Sequence, residues 1–375
     1  ALFLPDGAPL RIGTRWINPD LAASLQRIAT EGPRGFYEGT TADLIVAEMQ
    51  RGNGIITHED LKQYTAVWRT PVSTAYRKHT IISMPPPSSG GTTIALMAHM
   101  LERYDMRGIG WHSPEGIHLT VEAMRRAFAD RNHWFGDPDF IRIPADRLMS
   151  QEYADLRGST IDPVKATPSS AVSYGPAGPA IESMHTTHYS VADGAGNMVS
   201  VTTTVNLGFG SAVTVTGAGF LLNNEMDDFA SKPGSPNVFG LVQGEANTIA
   251  PGKRILSSMS PTIVLDPAGE PLLITGASGG PRIITAVFQV ITNVVDHGMD
   301  ITPAVVAPRF HHQHLPDTIL LENNGFADDR IDALRSMGHA TKGIHHLAIS
   351  PSILRANDVW RGSADPRTGG AAVGF

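Results

Sequence analysis

Between residues 167 and 180 the apolar periodicity of the chain disappears, and Pro, Ser, Ala and Gly take its place. A stretch of that composition has too little apolar surface to bury, so it reads as an exposed connection. It separates two kinds of sequence. Upstream, helical signals dominate. Asn18-Pro19 supplies an N-cap and a proline at the first helical position, Leu21, Leu25 and Ile28 recur at helical spacing, and Gly32 ends the run. Thr57 with Asp60 has the form of a capping box. Ser113-Pro114 opens a helix whose Ile117, Val121, Met124 and Phe128 share one face. Downstream of Thr187 the pattern alternates through Tyr189 and Val191, then Met198, Val199 and Val201, with Asp193-Gly194-Ala195-Gly196-Asn197 between them, a hairpin signature. Further strands are predicted at 219–222, 262–265 and 272–275, and a helix at 281–297 closed by Gly298. The fold class is therefore α+β. Residues 1–185 form a helix-rich part ending in a flexible linker at about 167–185, and residues 186–375 form a strand-rich part.

Composition narrows the function classes. The 375 residues are 41% hydrophobic and 17% charged, which suits a packed globular protein. A net charge of -7 without a basic stripe gives no nucleic-acid footprint. The absence of cysteine rules out disulfides, thiolate metal sites and a cysteine nucleophile. The most apolar stretch, 283–295, is broken by Thr285, Gln289, Thr292 and Asn293 and is shorter than the ~20 residues of a membrane helix. The chain starts at Ala1 without an initiator Met or a signal-peptide pattern, which fits a removed leader or a fragment.

The chemistry centres on Thr186, at the junction of linker and strand. A threonine hydroxyl is a weak nucleophile unless a base lies beside it. A cut between His185 and Thr186 would supply one, the α-amine of a new N-terminus. The plain alternative is a pair of β-branched residues opening a strand. Thr202, Thr204 and Asn206 lie two apart, so on a strand they share a face. The run 223–229 carries Glu225, Asp227 and Asp228 among apolar flanks, either a solvated turn or a grip for an ammonium group, and Glu225 and Asp228 point the same way in a helical turn. Ser257 and Ser258 add hydroxyl donors ahead of a strand. Gly279-Gly280 links a strand to a helix, where free amides suit an oxyanion. His311-His312-Gln313-His314 and His345-His346 look like metal clusters, but adjacent histidines on a strand face opposite ways and no matching carboxylate accompanies them, so they read as structural. The loop at 85–91 lacks a following lysine and reads as a packing element rather than a phosphate cradle.

Taken in order, these motifs resemble the gamma-glutamyltransferase family. Thr186-Thr187-His188-Tyr189-Ser190-Val191 is similar to the segment opening that family's small subunit. The resemblance extends through 83–91, 136–140, 222–229, 256–262, Gly279-Gly280, 308–313 and Asp365-Pro366-Arg367, nearly the whole chain. It implies the N-terminal nucleophile hydrolase fold, a four-layer αββα sandwich. By resemblance Thr186 is the processing residue and then the nucleophile, and Thr204 orients its hydroxyl. Asn206, Glu225 and Asp228 would hold the α-amino end of a γ-glutamyl donor, Ser257 and Ser258 its α-carboxylate, and Gly279 and Gly280 the oxyanion. Residues 230–248 would form a lid, in which Phe239 stands where some relatives carry tyrosine. The family shows Gln or Glu at the position of Glu225. The resemblance further implies large and small subunits cut from one precursor, amino acid or peptide acceptors, no cofactor or metal, and a periplasmic or secreted location.

The family's large subunit begins with a long segment that has no counterpart here, and that segment carries an arginine for the donor's α-carboxylate. The sandwich is accordingly expected to be incomplete at its N-terminus. Two other readings stay open, a glutaryl-type acylase of the same family and an unprocessed fragment that only binds glutamyl compounds.

Overall fold

The computed structural model describes residue 4 and residues 7–173, 186–235, 237 and 241–374. His185 and Phe239 lie outside the described residues. The chain divides into two compact units, Ala1–Arg69 with Phe209–Asn224, and Thr70–Gly208 with Glu225–Phe375.

The first unit is helical. Asn18 accepts from the Leu21 amide, Pro19 sits at the first helical position, and the helix Pro19–Glu31 stops at Gly32, whose φ is 64°. Leu25, expected on the apolar face, is instead exposed. The capping box forms as predicted, with Thr57 and Asp60 each satisfying the other's backbone amide at the start of the helix His58–Gln63. The apolar side of the helix Gly39–Gly52 closes on Leu61, Val215 and Ala218. Residues 219–222, predicted as a strand, make only an isolated bridge, Thr214 with Leu221. Val215, Ala218, Phe220 and Leu222 serve as a cover for the helical cluster rather than as part of a sheet.

The second unit is built on a six-stranded sheet of order β1-β2-β5-β6-β10-β11, namely Val72–Tyr76, His79–Ser83, Thr262–Leu265, Pro271–Thr275, Ser352–Ala356 and Val359–Ser363. The strands β1 and β2 come from the part predicted to be mostly helical. Residues upstream and downstream of 167–185 therefore share one sheet, with Ser83 in register with Thr262. Of the stretch expected to be an exposed connection, Ser169 and Val172 are instead buried, and the Ser169 amide is held by Asp317. The hairpin β3 (Thr186–Ala192) and β4 (Met198–Thr204) forms a second sheet, and a third joins β7 (Phe310–His311), β8 (Ile319–Glu322) and β9 (Thr341–Ile344). The hairpin turns through Asp193, whose carboxylate accepts from the amides of Ala195 and Asn197.

Helices Gly90–Leu101, Pro114–Trp134 and Arg282–Val295 supply much of the core, with Ile94, Met97, Ile117, Val121, Met124, Phe128, Ile284 and Phe288 among its members. The mixture of helices with a six-, a two- and a three-stranded sheet is the expected α+β class. The polar residues that break the apolar stretch have partners. Gln289 hydrogen-bonds both the amide and the carbonyl of Phe310, and Thr285 meets the His311 ring. None of the described helices is long and apolar enough to cross a membrane.

Two of the motifs behind the family resemblance meet in a buried ion network. Arg309 pairs with Asp365 at 2.9 Å, and Arg367 with Glu322 at 2.5 Å. Arg309 also donates to Ala348 O, and Asp365 accepts from the Ser350 amide. Residues 347–350 are thereby fixed, and Ile349 pairs with Ser278, next to Gly279. Burial pushes the Asp365 carboxyl up, but Arg309 and Arg367 outweigh it and hold the group below its usual range. Asp365→Ala would leave a buried guanidinium without its partner, at a cost of about 3–5 kcal/mol, readable in urea unfolding. Because the carboxyl is depressed, its contribution is present above the ordinary carboxylate range near pH ~4 and is lost as pH falls through the lower folded value. The destabilisation measured for the variant should therefore shrink in acid.

Candidate active site

Thr186 opens β3 and pairs in register with Thr204, which ends β4. Because side chains alternate on a strand, Thr186, His188 and Ser190 share a face with Ser200, Thr202 and Thr204. That face is turned inward. Ser200 donates to Thr275 O and accepts from the Thr262 amide, tying the hairpin to the main sheet. The His188 ring contacts the Thr202 and Ser190 hydroxyls and rests on Gly276, where any Cβ would strike the imidazole at 2.2 Å. Burial lowers the His188 pKa to about 4. A neutral ring already engaged at both nitrogens is a poor base for Thr186.

The Thr186 hydroxyl lies 3.4 Å from that of Thr204, and Thr204 Oγ1 also accepts from the Asn206 amide at 2.8 Å. Asn206 does not continue the strand face as predicted. It follows the end of β4 with φ at 70°, and its buried side chain reaches the pocket from a turn. One pocket is lined by Thr186, Thr204, Asn206, Glu225, Asp228, Ser257, Ser258 and Gly280, together with Arg131, Leu241 and Leu256. Eight of the nine residues singled out for catalysis or substrate binding thus share one cavity. The ninth, Gly279, precedes Gly280 in the turn. Its φ of 142° and the Ala348 Cβ, 3.0 Å from where its own Cβ would be, demand glycine. Neither the Gly279 nor the Gly280 amide is used as a donor among the described residues, and both lie at the start of the helix Arg282–Val295. Unspent amides of this kind stabilise a developing negative charge.

Glu225–Asp228 is a single 3-10 turn, in which residues three apart eclipse. Burial raises the pKa of both carboxyls. They bond to one another, and Asp228 is raised further by Glu225, with Arg131 pulling it back. The turn is held from behind by a residue that the sequence did not single out. Asn247 donates to Asp228 O at 2.6 Å and accepts from the Leu256 amide, linking the acidic turn to the serine segment. On the opposite wall, Ser257 Oγ accepts from the Met259 amide and Ser258 Oγ accepts from Arg131 at 3.0 Å.

Arg131, the charged lining residue besides Glu225 and Asp228, was not singled out by the sequence either. It is 1% exposed, on the helix Pro114–Trp134, and burial lowers its pKa to about 10. Arg125 and Arg126 signal their burial through Glu122, three and four residues away, but Arg131 has Ala127 and Phe128 at those spacings and so gives no such signal.

The histidines of 311–314 are buried and hydrogen-bonded, to Thr285, Asp317 and Ser169 O among others. The His345 and His346 rings contact one another at the surface. A further group with metal-like spacing is His118, Glu122 and His339. Its donor atoms are already committed: Glu122 accepts from Arg125, Arg126 and the Thr167 amide, and the two histidines bond to each other.

The pocket thus offers carboxyls to a cation, hydroxyls backed by a guanidinium to an anion, and a hydroxyl beside two free amides to a carbonyl. A ligand bringing an ammonium group needs the Glu225–Asp228 pair ionised. Its affinity should rise as pH rises through the pair's titration. Glu225→Gln removes one of the two charges, so Asp228 ionises at lower pH and the rise should move downward. Calorimetric titration of an α-amino acid across the pH range reads this directly.

A family model described as Gamma-glutamyltranspeptidase matches residues 1–375. The chain is 46% identical over 369 residues to a glutathione hydrolase proenzyme of Escherichia coli (strain K12), covering 98% of this chain and 63% of that one. It is 36% identical over 374 residues to the acylase ACY 1 proenzyme of Pseudomonas sp. (strain SE83), covering 98% and 64%. Among solved structures, the cephalosporin acylase of Bacillus halodurans superposes with a TM-score of 0.84 at 26% identity, over 98% of this chain and 64% of that one. The chain therefore spans a little under two thirds of the length of each of these three.

Proposed function

The chain belongs to the gamma-glutamyltranspeptidase family, and on that premise we propose that its gene product is an autoprocessing hydrolase and transferase of γ-glutamyl amides. The observation that carries this is the convergence of Thr186 and Thr204 with a carboxyl pair, two serines and a glycine turn in one pocket. In the precursor, the Thr186 hydroxyl attacks the His185 carbonyl, and water hydrolyses the resulting ester, leaving Thr186 as an N-terminus. Its α-amine then takes the hydroxyl proton as Oγ1 attacks the γ-amide of the donor. The oxyanion is met by the Gly279 and Gly280 amides. The proton passes to the departing amine, and a γ-glutamyl ester remains. Water or the amine of an amino acid or peptide resolves that ester.

The donor is read end by end. Glu225, Asp228 and Asn206 take its α-ammonium, and Ser257 and Ser258 its α-carboxylate. The relatives named as glutathione hydrolase proenzymes support glutathione as a donor and residues 186–375 as the small subunit, with the rest of the chain in the large one. An exported, periplasmic or extracellular product accords with the family. The stretch 230–248 is proposed as the lid.

The acylase relatives support a second reading, cleavage of a glutaryl amide that carries no ammonium. The half-buried Glu225–Asp228 pair argues against it, since such a ligand would bring these carboxyls no cation. Intact mass and N-terminal sequencing of the full-length gene product test the processing step. Two chains are expected, the smaller beginning Thr186-Thr187-His188-Tyr189, and Thr186→Ala should stay whole. A folded wild-type protein that remains a single chain would sink the proposal. The substrate class is tested with anilides: wild type should prefer γ-glutamyl over glutaryl, and Asp228→Ala should cut that preference by roughly 10- to 100-fold.

A further inference from the structure

Arg131 carries a full charge in the interior without a carboxylate at ion-pair distance among the described residues. Its three guanidinium nitrogens donate to neutral oxygens. Nε reaches Ser89 Oγ at 3.0 Å, Nη1 reaches Asn132 Oδ1 at 3.1 Å, and Nη2 reaches Ser258 Oγ at 3.0 Å. A buried cation without a contact ion pair is costly, and it is kept here against the wall of the pocket, with Asp228 as the carboxylate whose field it feels.

The Ser89 contact leads to a loop that the sequence marked only as a packing element. Ser89 Oγ passes the interaction on by donating to Ser257 O at 3.0 Å, and the Ser89 amide donates to the same carbonyl at 2.9 Å. The Ser257 amide in turn donates to Pro87 O, and Ser88 Oγ donates to Met259 O at 2.6 Å. Gly90 lies so close that a Cβ there would meet Ser260 Oγ at 2.2 Å. The loop at 85–91 therefore splints 257–260 along its backbone, and Arg131 grips loop and segment at once.

Proton bookkeeping shows what the grip does. A guanidinium only donates, so Ser258 Oγ is fixed as its acceptor and the serine proton is left to point elsewhere. Ser257 Oγ accepts from the Met259 amide, with the same result. Both hydroxyls line the pocket, and both have a proton to give. Two such donors in front of a guanidinium that makes no ion pair among the described residues, and feels only Asp228 across the pocket, form a site for an anion.

We propose that Arg131 is the positioning residue of the anion half of the pocket: with the 85–91 loop it sets Ser257 and Ser258 as paired donors and supplies the positive potential for a ligand carboxylate. This rests on the γ-glutamyl reading, and it identifies within this chain a cation that acts on the donor's α-carboxylate through Ser258.

The test compares three anilides on the full-length gene product. γ-Glutamyl anilide has both end groups, the 4-aminobutyryl anilide lacks the carboxylate, and the glutaryl anilide lacks the ammonium. Arg131→Gln should raise KM for the γ-glutamyl anilide far more than it lowers kcat. It should reduce the preference for γ-glutamyl over 4-aminobutyryl by roughly 10- to 100-fold, and leave the preference over glutaryl nearly as it was. Ser89→Ala, a milder change that keeps the charge, should reduce the same carboxylate preference by a few-fold, and it serves if Arg131→Gln does not fold. Equal losses on all three anilides, or an unchanged carboxylate preference in the variant that folds, would overturn the role of Arg131 while leaving the proposed function intact. A processed wild-type protein that cleaves none of the three would remove both.

Discussion

Ser200 holds the β3–β4 hairpin to the main sheet from both sides of its hydroxyl, donating to Thr275 O and accepting from the Thr262 amide. The hairpin needs such a bond because its inward face is polar. A buried hydroxyl or imidazole without a partner costs about 1–3 kcal/mol, so the buried His188 and the half-buried Ser200 and Thr202 can turn inward only where partners await them. Those partners are the backbone at the ends of β5 and β6 and, for His188, the hydroxyls of Thr202 on β4 and Ser190 on its own strand. The glycine at 276 leaves room for the imidazole. Once that face is seated, its open end, Thr186 beside Thr204, has one place to be, next to the turn that follows β6. The nucleophile candidate and the oxyanion candidate are thus brought together by the hydrogen-bond requirements of residues that take no part in chemistry.

The same logic recurs around the pocket. The Gly279 turn is steadied through Ser278 and Ile349, and that strip is braced by Arg309, Asp365, Glu322 and Arg367. The acidic turn and the serine segment are joined by Asn247. The serine segment is splinted by the loop at 85–91. Each wall therefore has a hydrogen-bonded support behind it. The supports also account for motifs of the family resemblance that do not line the pocket. Pro308-Arg309-Phe310 and Asp365-Pro366-Arg367 lie far apart in sequence and act as one buried network.

Several elements escaped the sequence for identifiable reasons. The β1–β2 hairpin turns at Arg77-Lys78, both with positive φ, where Asn and Gly are the usual signals. The conformation is held because Arg77 is bound by Asp296 and by the carbonyls of Leu101, Glu102 and Tyr104, contacts invisible to local pattern. Thr74 occupies a buried position of β1 and breaks its apolar alternation, its hydroxyl meeting His99. Residues 219–222 failed in the opposite sense. Their pattern suits a strand, but the apolar side chains cover a helical cluster.

What the sequence determined by itself was the local grammar: the caps at Asn18 and Thr57, the Asp193–Asn197 turn and the alternation of β3 and β4. These depend on neighbours a few residues away, so spacing reveals them, whereas Thr186, Thr204, Glu225, Asp228, Ser257, Ser258, Gly279 and Gly280 stood out through the family resemblance. Tertiary structure decided which of those residues share a cavity, that Asn206 enters it from a turn, that β1 and β2 complete the sheet of the downstream strands, and that Arg131 and Asn247 stand behind the walls. Arg131 lies 127 positions from Ser258. A charge on a helix reads as solvated until the fold buries it, and only the packed interior turns an unpaired guanidinium into a directed donor.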